Sequence, residues 1–203
     1  MIQNFMRLFQ IKVIRNLTCI FLGLVFFTSG MSKLYFEHQF VGIIGPVWLE
    51  KELAQYGLGM FARFIGYAQV VIGFLLLTLR YSVLGAVMLI PLVTNILIVT
   101  VSMNWIGTPY VLGVLLIMNV FVIWADRKML LPIVTGSSKS FSGRSQSLTG
   151  VLTWLFGFAM MIGSINISYV VLPLAYSLVL LGVVLATLSL KFDRPGKMDK
   201  VNK

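Results

Sequence analysis

Polar residues interrupt this chain only at intervals, and between them it is apolar for about the length a helix needs to cross a bilayer. A hydrocarbon core about 30 Å thick is spanned by roughly 20 residues rising about 1.5 Å each. The pattern predicts six such helices: Val13 to Lys33, Gly59 to Leu79, Val83 to Met103, Pro109 to Ala125, Leu148 to Ile165 and Tyr169 to Leu190. Arg80-Tyr81-Ser82 separates the second from the third, and the uncharged link Asn104 to Thr108 separates the third from the fourth. The last two are divided only by the weakly polar Gly163-Ser164-Ile165-Asn166-Ile167-Ser168. The fold class is therefore all-α: an integral membrane four-helix bundle followed by a transmembrane hairpin.

Composition supports lipid as the solvent. Hydrophobic residues make up 59% of the chain, charged residues 11%, and mean hydropathy is +0.96. A water-soluble domain of that balance would expose extensive apolar patches. Charge then sets orientation. With six spans, Arg7, Lys12, Arg15, Arg80, Arg127, Lys128, Lys139, Arg144 and the five basic residues from Lys191 to Lys203 share one side, 13 of the 16 Lys and Arg. The other side holds Lys33, Lys51 and Arg63 beside Glu37, Glu50 and Glu52. The positive-inside rule predicts both termini in the cytoplasm, and five spans would leave the basic tail outside. Topology and attraction to anionic lipid account for the net charge of +10, so no nucleic-acid partner is implied. The first apolar run is too long for a cleaved leader and lacks a small-x-small site after Phe27, so it is expected to stay as a span.

The composition breaks once, at the Ser/Gly-rich, basic stretch Thr135 to Thr149. It divides a four-helix unit, residues 1–134, from a hairpin at 149–190, with 135–148 as a cytoplasmic connection and 191–203 as a basic tail. The outer segment 34–58 should lie at the membrane interface. Pro46 can open a short helix to Tyr56, with Leu49, Leu53 and Tyr56 on one face and Trp48 and Tyr56 as interfacial anchors.

The first span ends Gly23-Leu-Val-Phe-Phe-Thr-Ser-Gly30-Met-Ser-Lys33-Leu34, and the second reads Arg63-Phe-Ile-Gly66-Tyr-Ala-Gln69-Val-Val-Ile-Gly73. These runs resemble the DoxX-type pattern, over about residues 10–130: glycine, an apolar run, Gly-x-x-Lys-Leu, then a glycine-spaced second span. The resemblance implies a bacterial inner-membrane four-helix bundle related in shape to MauE-like and vitamin K epoxide reductase-like proteins. Members are often subunits or neighbours of membrane redox systems, among them a thiosulfate:quinone oxidoreductase. Two departures stand out. Gln69 replaces a frequent carboxylate, and the redox cysteine pair of the MauE-like relatives is absent.

Self-contained redox or metal chemistry finds little material. Cys19 is the single cysteine, so the chain cannot cycle a dithiol alone. His38 is the single histidine, which excludes bis-His haem ligation within one chain, and no metal site is expected. Gln69, Asn95 and Asn119 fall near the middles of the second to fourth spans, where an amide must be hydrogen-bonded. All three should face the bundle, either as interhelical hydrogen bonds or as the polar wall of a pocket for a small molecule such as a quinone head. Pro91 should free the Val87 carbonyl, and Thr94 is a candidate to satisfy it. Lys33, Glu37, His38 and Arg63 form a candidate outer-mouth cluster, an ion-pair group or an anion-attracting entrance. Stripes of small residues (Ala62, Gly66 and Gly73; Gly150, Gly157 and Ser164; Ala175, Gly182, Ala186 and Ser189) mark close helix contacts within the chain or with a partner subunit.

The expected function is that of an accessory or anchoring subunit in a larger, redox-linked membrane system, not an enzyme on its own. A small-molecule or quinone binder, or a membrane enzyme acting on a quinone or lipid, are the alternatives. No cofactor is evident beyond a possible quinone.

Overall fold

The computed structural model describes residues 2–45, 49–134 and 147–193, and every regular element among them is helical. The helices are α1 (Ile2–Leu34), α2 (Leu49–Ala54), α3 (Gly59–Leu77), α4 (Ser82–Ser102), α5 (Thr108–Ala125), α6 (Arg127–Val134), α7 (Leu148–Ile167) and α8 (Leu172–Leu188). Six segments are long and apolar enough to cross a membrane: one within α1 from Phe9 to Leu34, then α3, α4, α5, α7, and α8 with its short continuation to Phe192. The chain is a multi-pass integral membrane protein.

Helix α1 begins well before the expected Val13, because no Pro or Gly breaks the mixed apolar and polar run that precedes it. The weakly polar stretch after Gly163 also stays helical through Ile167, and the turn lies beyond it. Ser164 and Ser168 donate back to the Met161 and Ile165 carbonyls at 2.6 Å each, so their hydroxyls do not compete with the helix. Helix α6 is an element the apolar pattern missed. The connection at 135–146, the basic tail beyond Asp193, and Pro46 with Trp48 lie outside the described residues.

Helices α1 and α3 form the centre. A Cβ placed on Gly23 would sit 2.5 Å from the Leu77 nitrogen, and one on Gly30 would sit 2.7 Å from the Gly66 carbonyl oxygen. A side chain on Gly73 would strike the backbone of Phe27. Glycines here let two backbones touch, which is how helices associate where water supplies no driving force. One side of this pair closes on α4 and α5 through Leu22, Phe26, Leu76, Leu89 and Val122. The opposite side closes on the hairpin, where Phe27, Tyr35 and Phe74 meet Trp154, Met161 and Ile165.

Within the hairpin, Gly157 and Gly182 are pressed on each other's carbonyls, so its small faces are used internally. Polar clasps fasten it to α1 and α3. Trp154 Nε1 donates to Thr78 Oγ1 at 3.1 Å and Tyr35 donates to Ser164 at 2.9 Å. Arg80 Nη2 meets Asp193 at 3.0 Å with both side chains buried. A second pair, Arg15 and Asp126, joins α1 to the end of α5, with Ser82 accepting from the same guanidinium at 2.7 Å.

Candidate functional site

Ends of α1, α3, α4 and α5 gather under residues 35–45 and 49–58, which we term the cover. Two hydroxyls one helical step apart hold it to α1: Ser29 donates to the Ile44 carbonyl, and Thr28 Oγ1 accepts the Ile43 N–H at 3.3 Å. Helix α2 adds two apolar plugs, Leu49 and Leu53, both buried on one face as the spacing predicted. Tyr56 does not share that face. It follows the helix in a turn closed by the Leu53 and Ala54 carbonyls, and its ring is exposed.

Beneath the cover is a small cavity. Val25, Phe26, Ser29 and Lys33 line it from α1, Gln69 from α3, Ile96 and Thr100 from α4, and Thr108, Leu112 and Leu115 from α5. Ile44, Gly45, Leu49 and Trp105 complete the roof. Water reaches about 30 Å³ of it, room for roughly one or two molecules. The wall is apolar except at a few atoms, and two of these decide its character. Lys33 Nζ donates to the Ser29 carbonyl at 2.8 Å, and among the described residues no carboxylate pairs with it. Gln69 is buried, and among the described residues nothing donates a hydrogen bond to its Oε1. Thr100 donates to Leu97 at 2.9 Å and keeps oxygen lone pairs for the cavity.

A wider polar hollow of about 370 Å³ lies on the other flank of Lys33. Lys33, Glu50, Arg63, Tyr67, Asn166 and Tyr169 surround it. Arg63 donates to Glu50 at 2.6 Å, and the pair is largely exposed, so screening leaves it little stabilising weight. Lys33 thus stands between an apolar chamber and a wet mouth.

The structure divides the sequence-derived residues differently from expectation. Lys33 and Arg63 meet at the mouth, but Glu37 and His38 do not join them. The chain turns over there with both residues at positive φ, 48° and 57°. His38 Nδ1 is 3.0 Å from the Ser32 carbonyl, which accepts, and Glu37 takes a hydrogen bond from Gln39 at 3.3 Å. That turn carries both side chains away from the hollow.

Gln69, Asn95 and Asn119 do not form one polar layer either. Gln69 reaches the cavity. Asn119 is fully buried but donates to the Ala86 carbonyl at 2.9 Å, nearer the chain ends, and its Oδ1 is unmatched among the described residues. Asn95 and Thr94 face outward and are exposed. Among the described residues Thr94 forms no hydrogen bond to the Val87 carbonyl freed by Pro91, and Asn119 donates to the neighbouring Ala86 carbonyl instead. The reason is angular: Leu92, Val93 and Ile96 take the inward face of α4, and 3.6 residues per turn put 94, 95 and 98 on the outward one.

Sequence reasoning passed over Ser29, Thr100, Tyr67, Asn166 and Tyr169. For Ser29 a signal existed, since it precedes Lys33 by four residues and shares its face. The hairpin residues had none, because their approach depends on tertiary packing.

No family model matches the chain, and no solved structure does. The chain is 28% identical over 125 residues to the uncharacterized protein YwoB of Bacillus subtilis (strain 168). The alignment covers 56% of this chain and 77% of that relative. The relative's name assigns it no activity, so the chemistry of the site rests on geometry.

Proposed function

We propose that this is a DoxX-like protein of a bacterial inner membrane, with both termini cytoplasmic. In this reading it is an accessory subunit of a redox-linked membrane system, and its contribution is to hold a small amphipathic molecule under the cover. The observation that carries the binding role is the pairing, in one apolar chamber, of an ammonium without a carboxylate and a buried amide oxygen without a donor among the described residues. Such groups are costly to leave unmet and become productive when a ligand meets them.

The donor set fits a head with two oxygens. Lys33 can donate to one, and the Gln69 amide can accept from a hydroxyl or donate to a carbonyl at the other. A quinol or quinone head has that character, and Phe26, Trp105 and Leu112 supply apolar walls. The closed chamber is far below the roughly 300–1,000 Å³ of ligand-sized pockets, so a ring enters only as the cover withdraws. No residue around it completes an acid–base relay, and binding, not turnover, is the role these residues support. The Gly23-to-Lys33 run that carries the DoxX resemblance ends in the chamber, which supports the accessory role.

Titration of detergent-purified protein with a short-chain quinone, read by quenching of Trp105 fluorescence, tests this. Saturable quenching should vanish in Trp105→Phe. Lys33→Met and Gln69→Leu should each weaken binding about ten- to a hundredfold, the weight of a hydrogen bond to a charged or buried group. Absent saturation in the parent protein, or unchanged affinity in both variants, defeats the binding role. A stoichiometric partner retained in mild detergent would support the accessory role; a lone chain with turnover of its own would contradict it.

A further inference from the structure

Two outward-facing polar side chains deep in α4 contrast with those on α8. Ser177 and Thr187 face outward on α8, and each returns its hydroxyl to its own helix, to the carbonyls of Pro173 and Val184. Thr94 and Asn95 on α4 are exposed, and among the described residues neither side chain makes a hydrogen bond. Asn95 sits three residues past the middle of a 21-residue helix, about 5 Å from its midpoint. No interface is within reach at that depth, and an Asn side chain is too short to snorkel. Hydrocarbon offers an amide nothing, so another protein surface must meet it.

We propose that the outward face of α4 is the interface between two copies of this chain, closed by reciprocal hydrogen bonds between their Asn95 amides. Two copies inserted in the same direction can form a closed pair only about an axis along the membrane normal. That axis brings every residue opposite its own copy at equal depth. An amide is both donor and acceptor, so Asn95 is complementary to itself under this symmetry, and Thr94 stands beside it as a second hydroxyl. Met88, Pro91, Ile98 and Ser102 continue the same face above and below, all without contacts that bury them. The proposal is independent of the chamber at Lys33, which opens on the inward side of α4.

The experiment uses the full-length chain in native membranes. Cys19→Ser removes the single cysteine, and Met88→Cys, Ile98→Cys, Ile117→Cys or Leu180→Cys then introduces one outward thiol while Asn95 stays in place. Under a mild oxidant, the cysteines at 88 and 98 should give a disulfide-linked band of twice the chain mass, and those at 117 and 180 should not. With Ile98→Cys as reporter, Asn95→Leu should weaken pairing about three- to thirtyfold in a dilution series with lipid, whereas Asn95→Gln should retain most of it. Two differently tagged copies with native Asn95 should also co-purify. The proposal is overturned if positions 88 and 98 link no better than 117 and 180, if they link to a different protein, or if the tagged copies separate.

Discussion

Asp193 illustrates how much one carboxylate can carry. It receives Arg80 at 3.0 Å and the Ser147 N–H at 3.1 Å, joining the α3–α4 turn to both ends of the hairpin. Arg80 also donates to Ser189, to its carbonyl at 3.1 Å and its hydroxyl at 3.2 Å. Both charged side chains are buried, at 1% and 3% exposure, so removing one leaves the other desolvated and unpaired. Asp193→Ala should cost about 3–5 kcal/mol, and Arg80→Met with Asp193→Leu should recover most of it. Thermal unfolding in detergent reads both; an unchanged midpoint in the single variant would show that the pair is not holding the hairpin. Tyr35 plays a quieter part at the far end. Burial pushes its phenol up to about 12, so it remains a donor to Ser164.

At the scale of elements, glycine positions separate contact from open surface. Gly73→Ala forces a methyl into the Phe27 backbone and should destabilise by about 1–3 kcal/mol or more, because neither helix can give way without moving its whole axis. Gly113→Ala on α5 meets nothing within 4 Å and should be neutral or slightly stabilising by helix propensity. Equal melting temperatures for the two variants would refute the close α1–α3 crossing.

The same contrast explains what could be read from the chain. Apolar run length gives spans directly, and the glycines of α3 announced a small face without saying which helix would fill it. Helix phase was the weak point. In a lipid-facing helix both faces are apolar, so polarity no longer marks the inside, and Asn95 was assigned inward by the rule that amides avoid lipid. That rule does not distinguish this chain's own core from a second protein surface, and the core-facing side of α4 is taken by Leu89, Val93 and Ile96. Lys33 was legible as the end of a glycine-spaced motif, but its cavity was not, since Gln69, Thr100 and Trp105 arrive from three other segments.

For the molecule as a whole, the strongest remaining expectation concerns sidedness. Six crossings and the concentration of 13 of 16 basic residues on one side predict that reporters fused to either end are both active in the cytoplasm. Reporters on opposite faces would remove one crossing and invert the assignment of chamber and mouth.

The central pair also limits how the protein can be cut down. Because α1 and α3 offer one flank to α4 and α5 and the other to the hairpin, a fragment ending near residue 134 would not be a smaller finished protein. It would present Phe74, Tyr35 and the Thr78 hydroxyl to bilayer lipids, with the Arg80 guanidinium stripped of its counter-ion. The last two helices are thus the missing half of a shell, and such a fragment needs something else to enclose its exposed side.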